Sequence, residues 1–146
     1  MADFFVEFRK EQFDPGGSSG HGAVDFVSDV IHCALIDANT WNPDTTNTAQ
    51  QDKADITGGA IIADAALASK TWTIVGGVGK FDAADLTFTS VSGAESEDLV
   101  LYKNTGTASD SLLICNFTSA DVTGLPITPN GTDIIVTWNT SGIFTW

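Results

Sequence analysis

The sequence predicts an all-β fold, an antiparallel β-sandwich or flattened barrel with a short N-terminal helical or extended segment. Two observations carry this. After residue 85 the chain runs as five short alternating segments separated by turn dipeptides, and regular spacing of that kind implies antiparallel layers. Charged residues make up only 17% of the 146 residues, below the roughly 25% typical of soluble domains. The surface therefore relies on Thr, Ser, Asn and Gly. Such short polar side chains compete with a helical backbone for hydrogen bonds and suit strands and turns better. The length fits one domain with an adequate core, placed at 23–146, with 1–22 as a docking segment and glycine-rich loop.

Taken in order, residues 3–13 place Phe4, Phe5, Phe8 and Phe13 near one side of a short amphipathic helix, with Glu7, Lys10 and Glu11 elsewhere. Asp14-Pro15-Gly16-Gly17 ends it, and Ser18 to Gly22 continue as a loop. So many phenylalanines on so short a helix must dock, either on the domain's own core or on a neighbouring subunit. Residues 30–36 are apolar on both faces and read as a central strand, with His32 a satisfied core or face histidine. From Asp37 to Asp55 the chain is a long polar loop, turning at Asn42-Pro43-Asp44 and anchored by Trp41. Residues 60–67 suit either a strand or a short helix. Thr71 to Val75 alternate as a strand that Gly76-Gly77-Val78-Gly79 ends or bends; with no helix and Lys-Ser/Thr following, these glycines are not a phosphate loop. The five later strands centre on Leu86–Val91, Leu99–Lys103, Leu112–Phe117, Ile134–Trp138 and Ile143–Trp146, with turns at Ser92-Gly93, Asn104-Thr105-Gly106, Asn130-Gly131 and Ser141-Gly142.

Charge excludes several function classes. The net charge is −13, and the six basic residues form no stripe, which argues against nucleic-acid binding and against anionic membranes. No apolar run is long enough to cross a bilayer, and the mixed N-terminus is no secretory signal. Cys33 and Cys115 lie in apolar strands and lack metal or redox spacing. The candidate chemistry is thin. Asp82 and Asp85 could be paired carboxylates, and Glu95-Ser96-Glu97-Asp98 is an acidic cluster that could hold Ca²⁺ weakly, although its spacing does not match a calcium loop. Both groups sit beside strand starts and turns, where Asp and Glu are common for local bonding and solvation, and that reading outweighs the chemical ones. No G-x-S-x-G elbow and no carboxylate–histidine spacing is present, so no catalytic residue, metal ligand or cofactor is assigned.

The run Leu99-Val100-Leu101-Tyr102-Lys103-Asn104-Thr105-Gly106, continuing to Ile114, then Thr123-Gly124-Leu125-Pro126-Ile127-Thr128-Pro129-Asn130-Gly131 and Gly142-Ile143-Phe144, resembles small structural proteins encoded by tailed bacteriophages. Residues 79–88 resemble the strand entry of the same family, and Asn104 stands where that family usually carries Asp. The likeness covers the last half to two-thirds of the chain. It implies a virion component without enzymatic activity. The first expectation is a capsid decoration or cement protein, made in the host cytoplasm and bound to the major capsid protein on the outer surface of the head. Self-association, as a trimer, is expected, with Phe4, Phe5, Phe8 and Trp146 at the interface. The alternative is a tail, neck or fibre component, or a glycan-binding module that uses exposed aromatics such as Trp41 or Trp72.

Overall fold

The computed structural model describes residues 2–13 and 20–146; the turn expected at Asp14–Gly17 and the start of the following loop lie outside the described residues. One helix, α1 (Val6–Phe13), accompanies strands β1 (Asp3–Phe4), β2 (Ile31–Ile36), β3 (Ile61–Ala66), β4 (Thr71–Val75) and β5 (Val78–Asp82). Strands β6 (Leu86–Phe88), β7 (Asp98–Lys103), β8 (Leu113–Phe117), β9 (Ile134–Val136) and β10 (Phe144–Thr145) follow. All pairings are antiparallel. They build a five-stranded sheet in the order β1-β8-β7-β2-β3, a three-stranded sheet β10-β5-β4 and a two-stranded sheet β6-β9. The fold is therefore all-β with one short helix.

Strand register sorts the core. Cys33 pairs with Leu101, Leu101 with Cys115, and Phe4 with Cys115, so these residues share one face of the large sheet with Leu35, Leu99 and Phe117. The smaller sheets pack on that face. Phe4 meets the Phe144 ring of β10 edge-on at 4.9 Å, and Phe117 meets Trp138 at 6.1 Å. The opposite face carries His32, Ala34, Asp64, Val100, Tyr102 and Asn116. The loop after β2 crosses it. Thr45 accepts from the Val6 amide at 2.9 Å, Gln51 from Leu113 at 2.9 Å, and Lys53 donates its amide to Ser111 at 2.9 Å. Trp41 anchors that loop and is buried.

Several expectations change. Residues 61–66 are a strand, because pairing with β2 outweighs the helical preference of four alanines among the eight residues 60–67. Gly76-Gly77 end β4 as expected, but the chain turns back there and continues the same sheet. Both glycines have positive φ, 60° and 84°, which gives the tight two-residue turn of a hairpin, and Val78-Gly79 open β5. Asp3–Phe4 pair with β8 as an edge strand, so residues 2–13 are part of the sandwich and not a separate docking arm. Helix α1 also turns Glu7 and Glu11 inward, where Glu11 accepts from the Gly22 amide at 3.1 Å and Glu7 pairs with Lys10 at 3.3 Å.

Candidate functional site

Four pieces of chain meet around one cleft. Helix α1 supplies Phe8, Gln12 and Phe13, the segment before β2 supplies Val24 to Val27, and Trp72 and Trp146 come from β4 and the strand end after β10. Together they line a cleft of about 420 Å³. Its floor is aromatic. Trp146 lies edge-on to Phe4 at 4.8 Å and to Phe8 at 5.7 Å, and Phe26 stacks on Trp72 at 5.5 Å with an interplanar angle of 13°. At the rim, Phe13 is 75% exposed and stacks on Trp146, itself 43% exposed, at 6.1 Å. A concave site lined by aromatic side chains, two of them open to water at its rim, is the kind of surface on which ligands and partners dock. Two polar groups interrupt it. The Gln12 Nε2 is buried with no hydrogen-bond partner among the described residues. The Asp25 carboxylate accepts from Val27 and Ser28 amides at 3.0 and 3.1 Å, and bonds from Ser28 and Val27 hold it below the usual carboxylate range.

The β4–β5 hairpin rises beside this cleft. Trp72 pairs with Phe81 and Ile74 with Gly79, so these side chains share the inner face of the three-stranded sheet. Phe81 is fully buried there, whereas Ile74 is 74% exposed, and Val75 on the outer face is 66% exposed. The hairpin tip thus projects past the body with apolar side chains on both faces. The Trp72 ring lies over Gly79 so closely that a Cβ at that glycine would sit 2.3 Å from the indole.

A polar network on the loop-covered face of the large sheet is the other concentration of reactive groups. The Tyr102 hydroxyl donates to Asp64, Lys53 Nζ donates to Tyr102 at 2.8 Å and to Asp64 at 3.0 Å, and His32 Nδ1 lies 3.3 Å from the same hydroxyl. Asn104 fixes the histidine. Its Oδ1 accepts from the Gly106 amide at 3.0 Å, so its Nδ2 must face His32 Nε2, at 3.0 Å, as a donor. Nε2 is then an acceptor, and the imidazole is neutral with its proton on Nδ1. Burial lowers the His32 pKa, opposed by the Asp64 carboxylate. Burial would raise Asp64, but bonds from Tyr102 and Lys53 outweigh it and hold that carboxyl low; burial and the bond to Asp64 raise Tyr102. The network ties the loop that carries Lys53 to the sheet.

The sequence candidates separate in space. Asp82 pairs with Lys80 at 3.2 Å, while Asp85 accepts from the Trp138 amide at 3.0 Å. Glu95 binds Thr128, Glu97 binds Ala38 and Asn39, and Asp98 accepts from Asn116 at 3.1 Å, so the acidic cluster is divided among three local tasks. Among the described residues no group of three His, Cys, Asp or Glu side chains could hold a metal ion, and no helix is long and apolar enough to cross a membrane. Of the four expected interface residues, Phe5 and Phe8 are buried in the chain's own core and Phe4 is half-buried there, which corrects their assignment to a neighbour; Trp146 stands at the cleft rim. Trp41 is buried too and offers no platform, whereas Trp72 lines the cleft. Phe13 was expected as part of the docking helix but not among the interface residues, Val27 and the hairpin tip were missed, and the one sequence signal for the tip was its run of uncharged residues around Gly76-Gly77. No protein-family model matches the chain, and a search of curated proteins finds no significant match.

Proposed function

We propose that the protein is a non-enzymatic structural component of a tailed-phage virion, a capsid decoration protein that binds the outer surface of the head and bridges major capsid subunits. The observation that carries this reading is the open aromatic cleft with its projecting apolar hairpin, in a chain of net charge −13. A solvated monomer gains nothing from exposing Phe13, Trp146 and Ile74 together, whereas a protein built only to bind neighbours needs such a surface. The resemblance of residues 79–144 to phage structural proteins supplies the class of neighbour, and the acidic surface suits a station away from packaged DNA. Repetition around a symmetric shell multiplies modest contacts through avidity. Quantifying copies per virion by gel densitometry or cryo-EM tests the reading. Hundreds of copies on the head support it, and absence from virions overturns it.

A second reading, a tail, neck or fibre component that touches host glycans, is favoured by Trp72 and Trp146 lining the same cleft beside the Gln12 amide, unpartnered among the described residues. Sugar rings pack on indole faces and offer hydroxyls to such a donor. A few copies per virion at the tail, with host-surface polysaccharide quenching tryptophan fluorescence, would select it.

A further inference from the structure

We infer that the free edge of β4 pairs with the β4 edge of a second copy, joining two three-stranded sheets into one continuous six-stranded sheet. The inference stands on the edge itself and holds wherever the protein is stationed.

Backbone directions come first. In β5, Gly79 exchanges both amide bonds with Trp146, at 3.0 and 2.9 Å, and the Phe81 carbonyl accepts from Ile143 at 2.8 Å, so both residues turn their backbone groups away from β4. Their antiparallel partners, Ile74 and Trp72, must therefore point their own N–H and C=O groups outward. Among the described residues no backbone group meets them there.

Natural edges are blunted by proline, charge or bulges, and this one has none of these: Thr71-Trp72-Thr73-Ile74-Val75 is uncharged, keeps regular register with β5 and ends in a compact glycine turn. It also fits itself. Antiparallel pairing about Thr73 sets Thr73 opposite its own copy, Trp72 opposite Ile74, and Thr71 opposite Val75. The two Trp72–Ile74 pairs then exchange both amide bonds each, consuming the outward groups. Aromatic–aliphatic and Thr–Thr pairs are favourable cross-strand neighbours. Each exposed Ile74 side chain gains cover from the other copy's Trp72, the wall of its cleft.

Charge permits the approach here. Residues 65–81 hold no Asp or Glu in a chain with 19 acidic residues, and this register puts Lys70 opposite Gly76, with no like charges facing. Two copies therefore meet where the overall repulsion is weakest.

Oxidative cross-linking of the full chain reads the register directly. Thr73→Cys places two thiols across a non-hydrogen-bonded pair, where Cα separations of about 4.5 Å suit a disulfide. The native thiols, Cys33 and Cys115, are buried and free and do not compete. Thr73→Cys should form a disulfide-linked dimer on mild oxidation. Val75→Cys alone should not, yet it should link to Thr71→Cys when the two are mixed. Sedimentation equilibrium should show wild-type chain at twice the monomer mass at high concentration and Thr73→Lys at the monomer mass with an unchanged circular dichroism spectrum. A monomeric wild type at every concentration, a Thr73→Cys chain that stays unlinked, or Val75→Cys linking to itself as readily overturns the proposal.

Discussion

The two sheet systems of this molecule solve the same problem in opposite ways. The large sheet buries one face and partly covers the other. The first takes Cys33, Leu35, Leu99, Leu101 and Phe117 against the smaller sheets; the second carries the buried Tyr102, the half-buried His32 and the exposed Asp64, bonded to one another and to Lys53 of the loop. The three-stranded sheet buries its root, at Phe81 and Phe144, and leaves its tip bare. A polar group hidden from water without a partner costs about 1–3 kcal/mol. An apolar group left in water costs less and can wait for a partner from outside. The first sheet meets most of its needs within the chain, and the second leaves apolar side chains uncovered at its tip.

That contrast can be broken at its strongest point first. Phe81→Ala, at the buried root of the hairpin, should cost about 3–5 kcal/mol in denaturant unfolding. A loss no larger than that of an exposed site would mean the root is as loose as the tip. Gly79→Ala should cost about 1–3 kcal/mol through overpacking, since its Cβ would strike the Trp72 ring, and tryptophan emission should shift as the ring is displaced. In the large sheet, Tyr102→Phe leaves Lys53 and Asp64 without their shared hydroxyl and should cost about 1–3 kcal/mol, with the loop over that sheet face exchanging its amides faster.

Proton linkage sharpens the comparison further. Folding lowers the His32 pKa from its ordinary 6.5, so the unfolded chain takes up this proton first. Its contribution is intact above 6.5 and is lost as pH falls below that value towards the lower folded one. Melting temperature should therefore drop between about pH 8 and about pH 5.5, and His32→Gln should flatten that part of the profile. The smallest effect belongs to the tip. Ile74→Thr should change monomer stability by no more than about 0.5 kcal/mol, because the residue is 74% exposed within its own chain.

The parts of this fold that could be read from sequence are those where local pattern and tertiary demand agree. Strand β2 shows as a run apolar on both faces, and β6 to β10 show as alternating runs set off by turn dipeptides. Strand β5 escaped because it opens on Val-Gly and is held by a diagonal tryptophan, a contact across strands that no alternation encodes. The phenylalanines were misplaced for a geometric reason. The chain changes from strand to helix between Phe4 and Val6, and five helical steps from Phe8 put Phe13 about 140° around the axis, so Phe8 is buried and Phe13 stands at the surface. The cleft was illegible because its walls come from residues 8–13, 24–27, 72 and 146, which only the folded chain brings together. Tyr102 and Lys103 were legible as strand residues, but the pairing of Tyr102 with Lys53 depends on the path of a long loop.

The two cysteines flank Leu101 on adjoining strands, both thiols sealed from solvent and raised in pKa by burial. A thiol reagent reaches either one only when the strands around it part. The rate at which such a reagent colours a solution of this protein is consequently a clock for the opening of the large sheet. Association through the hairpin slows that clock only to the extent that the two sheets open as one cooperative unit.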